Sequence, residues 1–143
     1  MKQEKKMEGK RKILVIDDME ENIMLLQRIL TEAGFQVITG HNGEEAIDIV
    51  RSERPDLVIL DVMMPKLDGF RTCEKLREDR RNDFMYIIML TIKDELGDVC
   101  QALNAGADEY FFKNESKKKL LRRIRNLLSR QRSTDHLSFG LLY

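Results

Sequence analysis

A chain of 143 residues with zero net charge, 42% apolar and 35% charged side chains has the length of one domain that builds its own core without staples. Its two cysteines, Cys73 and Cys100, lie 27 positions apart with no CxxC and no histidine pattern nearby; this suggests neither a zinc site nor a redox motif and fits small apolar residues in a reducing cytoplasm. The longest aliphatic runs are about four or five residues against the ~20 that span a bilayer, and no apolar signal segment follows the charged N-terminus.

The zero net charge hides segregation. Residues 1–12 carry six Lys/Arg against two Glu, residues 13–112 ten against twenty-one acidic residues, and residues 113–132 nine against one. Such a basic C-terminal stretch is compatible with nucleic acid or an anionic membrane. No aromatic platform or recognition motif accompanies it, so it reads as a solvated face balancing an acidic body, with no nucleic-acid or membrane contact expected.

Residues 1–11 hold almost no core-forming side chains and predict a mobile basic arm. Ile13-Leu14-Val15-Ile16 then reads as a short buried strand ending on Asp17-Asp18. Between Glu20 and Ala33, Ile23, Leu26, Ile29 and Leu30 recur at helical spacing before the stop at Gly34. Residues 35–39 predict a strand. A helix from Asn42-Gly43 to about Ser52 carries Ala46, Ile47, Ile49 and Val50.

Leu57-Val58-Ile59-Leu60 is a second uninterrupted aliphatic run, the pattern of a strand buried on both faces. It too ends on a carboxylate, Asp61, and Met64-Pro65 and Asp68-Gly69 prevent direct continuation. Phe70, Cys73 and Leu76 set a helix over residues 69–79, followed by a charged, exposed run from Arg77 to Asp83. Met85 to Leu90 predicts a strand stopping on Thr91. Leu96, Val99, Cys100 and Leu103 mark the apolar stripe of a helix that ends at Ala105-Gly106. Glu109 to Phe112 predicts a strand stopping on Lys113. Leu120, Leu121, Ile124, Leu127 and Leu128 define a last helix, basic on its other face. Five alternations of strand and helix predict an α/β domain over residues 12–131 with a parallel sheet and helices on both faces. Residues 132–143 read as a tail or the start of a linker to an absent output region.

Open parallel sheets bind ligands at the carboxyl ends of their strands. A lone Asp61 would read as a turn cap, but Asp17, Asp18, Thr91 and Lys113 also stand at strand ends. Clustered carboxylates repel unless a positive group joins them. A hard divalent cation suits an all-oxygen set, and Mg²⁺ is favoured over Ca²⁺ because no twelve-residue acidic loop is present. Carboxylates, metal, hydroxyl and ammonium form a phosphoryl-handling set, with Asp61 the natural nucleophile for an aspartyl-phosphate.

These motifs, Val15-Ile16-Asp17-Asp18, Leu60-Asp61-Val62-Met63-Met64-Pro65 with Asp68-Gly69, Leu90-Thr91, and Gly106-Ala107-Asp108-Glu109-Tyr110-Phe111-Phe112-Lys113, resemble the receiver domain of bacterial two-component response regulators. Thr91 and Lys113 follow Asp61 by 30 and 52 residues, as in that family. The resemblance implies a flavodoxin-like, doubly wound five-stranded sheet in the order 2-1-3-4-5. It implies that Asp61 accepts a phosphoryl group from a phosphohistidine on a sensor histidine kinase or phosphotransfer protein, and that the domain catalyses this transfer and its own slow dephosphorylation. By position, Asp18, Asp61 and the Met63 carbonyl would hold Mg²⁺, with Asp17 acting through a water. Thr91 and Lys113 would bind the phosphoryl oxygens, and Tyr110 would be the switch aromatic. A homodimer through the fourth helix, fifth strand and last helix, with Asp98, Asp108 and Glu109 near Arg122 and Arg123, is a further expectation.

Two positions depart from the family. Asn114 stands where a cis proline is usual, so the bond is either trans with Lys113 displaced, or the loop is strained. Ile92 stands where a small residue is common and predicts slow exchange of the phosphoryl group. The alternatives are a receiver-fold interaction module that is not phosphorylated and an aspartate-nucleophile phosphohydrolase, which lacks its usual second Asp because that position is Met63. A flavin or nucleotide binder is disfavoured by the acidic loop Asp17 to Glu21. Phe111 and Phe112 read as core or flank, and His41 and His136 as isolated and exposed.

Overall fold

The computed structural model describes residues 9–64, 66–91 and 96–130, with side chains of the last span from Val99 onward. The arm before residue 9, Pro65, Ile92, the side chain of Asp98, His136 and the tail from residue 131 lie outside these limits. The elements run β1 (Lys12–Ile16), α1 (Glu20–Glu32), β2 (Gln36–Gly40), α2 (Gly43–Glu53), β3 (Leu57–Asp61), α3 (Gly69–Glu78), β4 (Tyr86–Thr91), α4 (Leu96–Asn104), β5 (Glu109–Phe112) and α5 (Lys117–Leu128). A single 3-10 turn at Arg80–Asn82 joins α3 to β4. Among the described residues no helix is long and apolar enough to cross a membrane.

The five strands form one sheet in the order β2-β1-β3-β4-β5, all parallel. The unbroken aliphatic runs follow from burial on both faces. Val58 and Leu60 enter the core with Leu14, Ile16, Ala46, Val50, Phe70, Leu76 and Ala102 on the side of α2, α3 and α4. Leu57 and Ile59 enter the opposite core with Ile13, Val15, Leu26, Leu30, Ile124 and Leu127 on the side of α1 and α5. Successive side chains of a strand point to opposite faces, so a strand between two helix layers must be apolar at every position.

Local chemistry sets the helix starts. Asn42, Asp68 and Ser116 accept hydrogen bonds from the backbone N–H groups of Glu45, Arg71 and Lys119 at the starts of α2, α3 and α5, satisfying donors that the helix cannot. At α1 the cap position is Met19, whose side chain cannot accept such a bond.

Several sequence expectations are corrected by packing. Leu103 lies on α4 but is 52% exposed, and Cys100 is exposed as well. The apolar stripe of α4 is carried instead by the fully buried Ala102, whose small size lets the helix lie close to the sheet. The run Arg77 to Asp83 is not wholly solvated. Asn82 is buried, and Arg77 turns inward to donate to the Gly106 carbonyl (2.9 Å), the Asn82 carbonyl (2.9 Å) and Asp108 Oδ2 (2.8 Å). His41 is exposed but not isolated, because its Nε2 lies 3.1 Å from Glu20 and its Nδ1 3.4 Å from Glu45. The hydrogen bond with Glu20 is the main reason its pKa is raised.

Asp108 also accepts from the Ile87 N–H at 2.8 Å, so the Arg77 pair ties α3 to the starts of β4 and β5. Removing one partner of a largely buried pair strands the other charge, at about 3 kcal/mol or more. Arg77→Ala is expected to lower the unfolding free energy by that amount, read as a lower urea midpoint with an unchanged denaturant slope. A loss below about 1 kcal/mol would show that the clamp is not what holds these elements together.

Candidate functional site

The carboxyl ends of β1, β3, β4 and β5 meet at one edge. β1 and β3 are neighbours there, with Ile16 beside Leu60, so the residues that follow them, Asp17 and Asp61, face each other. Among the described residues, the carboxylates of Asp17, Asp18 and Asp61 form the one cluster whose ligand atoms all lie within 4.8 Å of one another. Lys113 Nζ lies 3.1 Å from Asp17 Oδ2 and 3.2 Å from Asp61 Oδ1. The ammonium therefore bridges two carboxylates that arrive from strands remote in sequence.

The four groups differ in access. Asp17 is 1% and Asp61 4% exposed, and the Lys113 ammonium lies against both. Asp18 is exposed, and the exposed Met63 side chain stands just past the end of β3. Burial is the largest influence on Asp61 and the Asp17 charge the second, and together they push its pKa up to about 6 although Lys113 opposes them. For Lys113, burial alone would lower the pKa. Asp61 and Asp17 outweigh it and the net direction is upward, so the side chain stays cationic. One ammonium against two buried carboxylates leaves the pocket short of positive charge.

Asp17 is oriented by its surroundings: Oδ1 accepts from the Met19 N–H at 2.9 Å and Oδ2 from the Asn22 side chain at 3.2 Å. This accounts for the missing cap at α1, since Asp17 satisfies a donor there while remaining in the site. Asn22 was not legible as a site residue. The signal that could have found it is its place in the first turn of a helix that starts just after the acidic pair.

Thr91 is buried at the end of β4, in register with Phe112, and its carbonyl accepts from the Lys113 N–H at 2.6 Å. No cis peptide occurs among the described residues, so the Lys113–Asn114 bond is trans. Lys113 nevertheless reaches both carboxylates, and the displacement expected for a trans bond is not found. Met63 follows β3 by two positions, with its N–H directed at Asp61 Oδ1 at 3.4 Å, a long contact.

Gly69 is a second residue that sequence reading did not single out as part of the site. Its N–H donates to the Val62 carbonyl at 2.9 Å, and a Cβ at this position would lie 2.4 Å from the Asp61 carbonyl oxygen. The start of α3 thus presses directly on the backbone that carries Asp61.

A 2-1-3-4-5 parallel sheet with an acidic cluster and a lysine at its carboxyl edge defines a flavodoxin-like signalling receiver. Residues 13–125 match the family model of the response regulator receiver domain, and the chain belongs to that family. It is similar to the alkaline phosphatase synthesis transcriptional regulatory protein PhoP of Bacillus subtilis, 45% identical over 121 residues that cover 84% of this chain and 49% of that protein. The response regulator MprA of Mycobacterium avium is 41% identical over 124 residues, covering 87% and 54% respectively. Among solved structures, the BeF3-activated N-terminal receiver domain of Klebsiella pneumoniae RstA matches with a TM-score of 0.77 at 31% identity, covering 83% of this chain and 99% of that one. A two-component response regulator from Clostridium difficile matches with a TM-score of 0.78 at 30% identity, covering 85% and 98%. The chain spans about half the length of these curated relatives.

Proposed function

We propose that this receiver is a cytoplasmic switch in which Asp61 accepts a phosphoryl group from the phosphohistidine of a sensor histidine kinase or phosphotransfer protein. The observation that carries the reading is the Lys113 ammonium bridging Asp17 and Asp61: a nucleophile and a phosphoryl-binding cation already side by side. A carboxylate oxygen of Asp61 attacks phosphorus as the phosphorus–nitrogen bond to the imidazole breaks, giving an acyl phosphate and a free histidine. Lys113 neutralises phosphoryl oxygens as they swing toward the pocket, and the Thr91 hydroxyl donates to one of them.

The oxygen-only donor set, gathered within 4.8 Å and short of positive charge, fits a hard divalent cation with retained waters. Asp18, Asp61 and the Met63 carbonyl, with Asp17 through a water, would hold Mg²⁺. When bound, the ion supplies the positive charge that offsets the phosphoryl oxygens.

A phosphate on Asp61 gives Thr91 a new acceptor, and Tyr110 turns into the space that Thr91 vacates. This remodels the face of α4, β5 and α5, where a second copy would pair. Of the residues expected on that face, Asp108 is held by Arg77 within the protomer, whereas Glu109 lies against Arg123 as expected. Exposed Leu103 and Arg122 remain available to it. Met19, Met24 and Leu25, all exposed on or just before α1, offer the phosphodonor an apolar surface on the helix that follows Asp17 and Asp18. Relatives named as transcriptional regulators suggest a DNA-binding output region in the longer proteins.

Incubation with acetyl phosphate and Mg²⁺ is expected to add one phosphoryl mass to the chain. The gain should disappear in Asp61→Asn and in chelator. A full mass gain in Asp61→Asn would remove the assignment.

A further inference from the structure

Tyr110 and Phe112 occupy alternate positions of β5 and so share one side of it. Their rings meet edge to face, with centroids 5.5 Å apart and planes at 88°. β5 is a four-residue edge strand that pairs with β4 alone. Both rings are partly buried, and Tyr110 rests on the core shared with α2, α3 and α4.

Phe112 is also tied to the pocket. It lies in register with Thr91 and directly precedes Lys113, whose N–H donates to the Thr91 carbonyl. Within β5, Phe112 thus meets the Tyr110 ring with its own, while its backbone lies in register with Thr91 and next to Lys113 in the chain.

The ring contact belongs to one arrangement. Turning Tyr110 to another staggered rotamer, about 120° away, carries its ring centre by roughly 4 to 5 Å and breaks the edge-to-face geometry unless Phe112 moves too. Edge-to-face pairs favour the arrangement that keeps them by a factor of about two to ten.

We infer that Phe112 is a positioning residue that holds the Tyr110 ring in the rotamer making this edge-to-face contact and so opposes the turn of Tyr110 that phosphorylation calls for, an inference that rests on the proposed function above. Losing the pair makes turning easier, and a pocket whose binding-competent arrangement is more populated binds its ligand more tightly by the same factor.

The test uses the full chain labelled with 3-fluorotyrosine, the Tyr110 resonance being identified by its loss in Tyr110→Phe. In ligand-free protein, Phe112→Leu is expected to raise the minor Tyr110 population two- to tenfold in fluorine NMR, and to tighten beryllofluoride binding with Mg²⁺ by the same factor. Phe112→Tyr, which keeps the ring, should retain wild-type values. In a Tyr110→Leu background, Phe112→Leu should leave the beryllofluoride affinity unchanged, which a merely structural role would not predict. An unchanged Tyr110 population in Phe112→Leu, or an equal affinity shift in both backgrounds, overturns the inference. Failure of the wild type to bind beryllofluoride would count against the proposed function, while the ligand-free spectra still decide the ring coupling.

Discussion

Asp61→Asn is expected to make the protein more stable in chelator while abolishing phosphoryl uptake. In the fold, burial first and the Asp17 charge second raise the Asp61 pKa from 3.8 to about 6. The native state therefore holds this proton more tightly than the unfolded chain. The sign follows: the Asp61 contribution to stability is fully present below pH 3.8, declines as pH rises, and is lost above about pH 6. At neutral pH the ionised carboxylate thus costs on the order of 3 kcal/mol. Asparagine keeps the shape and removes the charge. Part of the gain is returned because Lys113 loses one partner, although Asp17 remains at 3.1 Å. A net gain of about 1 to 2 kcal/mol at pH 7.5 is expected, read as a higher urea midpoint and a melting temperature raised by several degrees. Addition of Mg²⁺ should stabilise the wild type selectively and narrow the difference. A less stable Asp61→Asn variant in chelator would mean that the pocket is already electrostatically satisfied.

Gly69→Ala is expected to damage both stability and phosphorylation, against the trend for helices. Alanine is favoured over glycine in a helix by about 1 kcal/mol, so a residue in the first turn of α3 should tolerate it. Here the added methyl would sit 2.4 Å from the Asp61 carbonyl oxygen and 2.8 Å from the Val62 Cα. Both are backbone atoms at the end of a central strand and cannot swing aside. Either α3 withdraws from the sheet or the loop carrying Asp61 shifts. We expect a loss of about 2 to 3 kcal/mol in urea unfolding, in the range for overpacking. Because misplacement by about 1 Å costs roughly a hundredfold in rate, acetyl phosphate labelling should slow by one to two orders of magnitude at temperatures where the variant is folded. Labelling at the wild-type rate would show that the helix yields without moving Asp61.

How the charges and hydroxyl come together was only partly written in the chain. The aliphatic runs at residues 13–16 and 57–60, ending in Asp17 and Asp61, marked both the class of fold and the edge where its chemistry gathers. Lys113 was legible by position, yet its reach past a trans bond to Asn114 was not, because loop geometry depends on what the loop packs against. Arg77 looked like one charge in an exposed run. Its partners, Gly106 and Asp108, lie about thirty residues further along the chain. Leu103 fitted a helical stripe by spacing, but spacing says which residues share a face and not how far that face lies from the sheet.

By itself the sequence determined alternation, burial class and the identity of the reactive groups, because these depend on neighbours a few positions apart and on side-chain chemistry. Only the tertiary structure decided that one ammonium would lie between Asp17 and Asp61, that α3 would press on the strand end through Gly69, and that Phe112 would brace Tyr110. Each of these is a distance or an angle fixed by how whole elements pack, and packing sums contributions from the entire core that no local pattern contains.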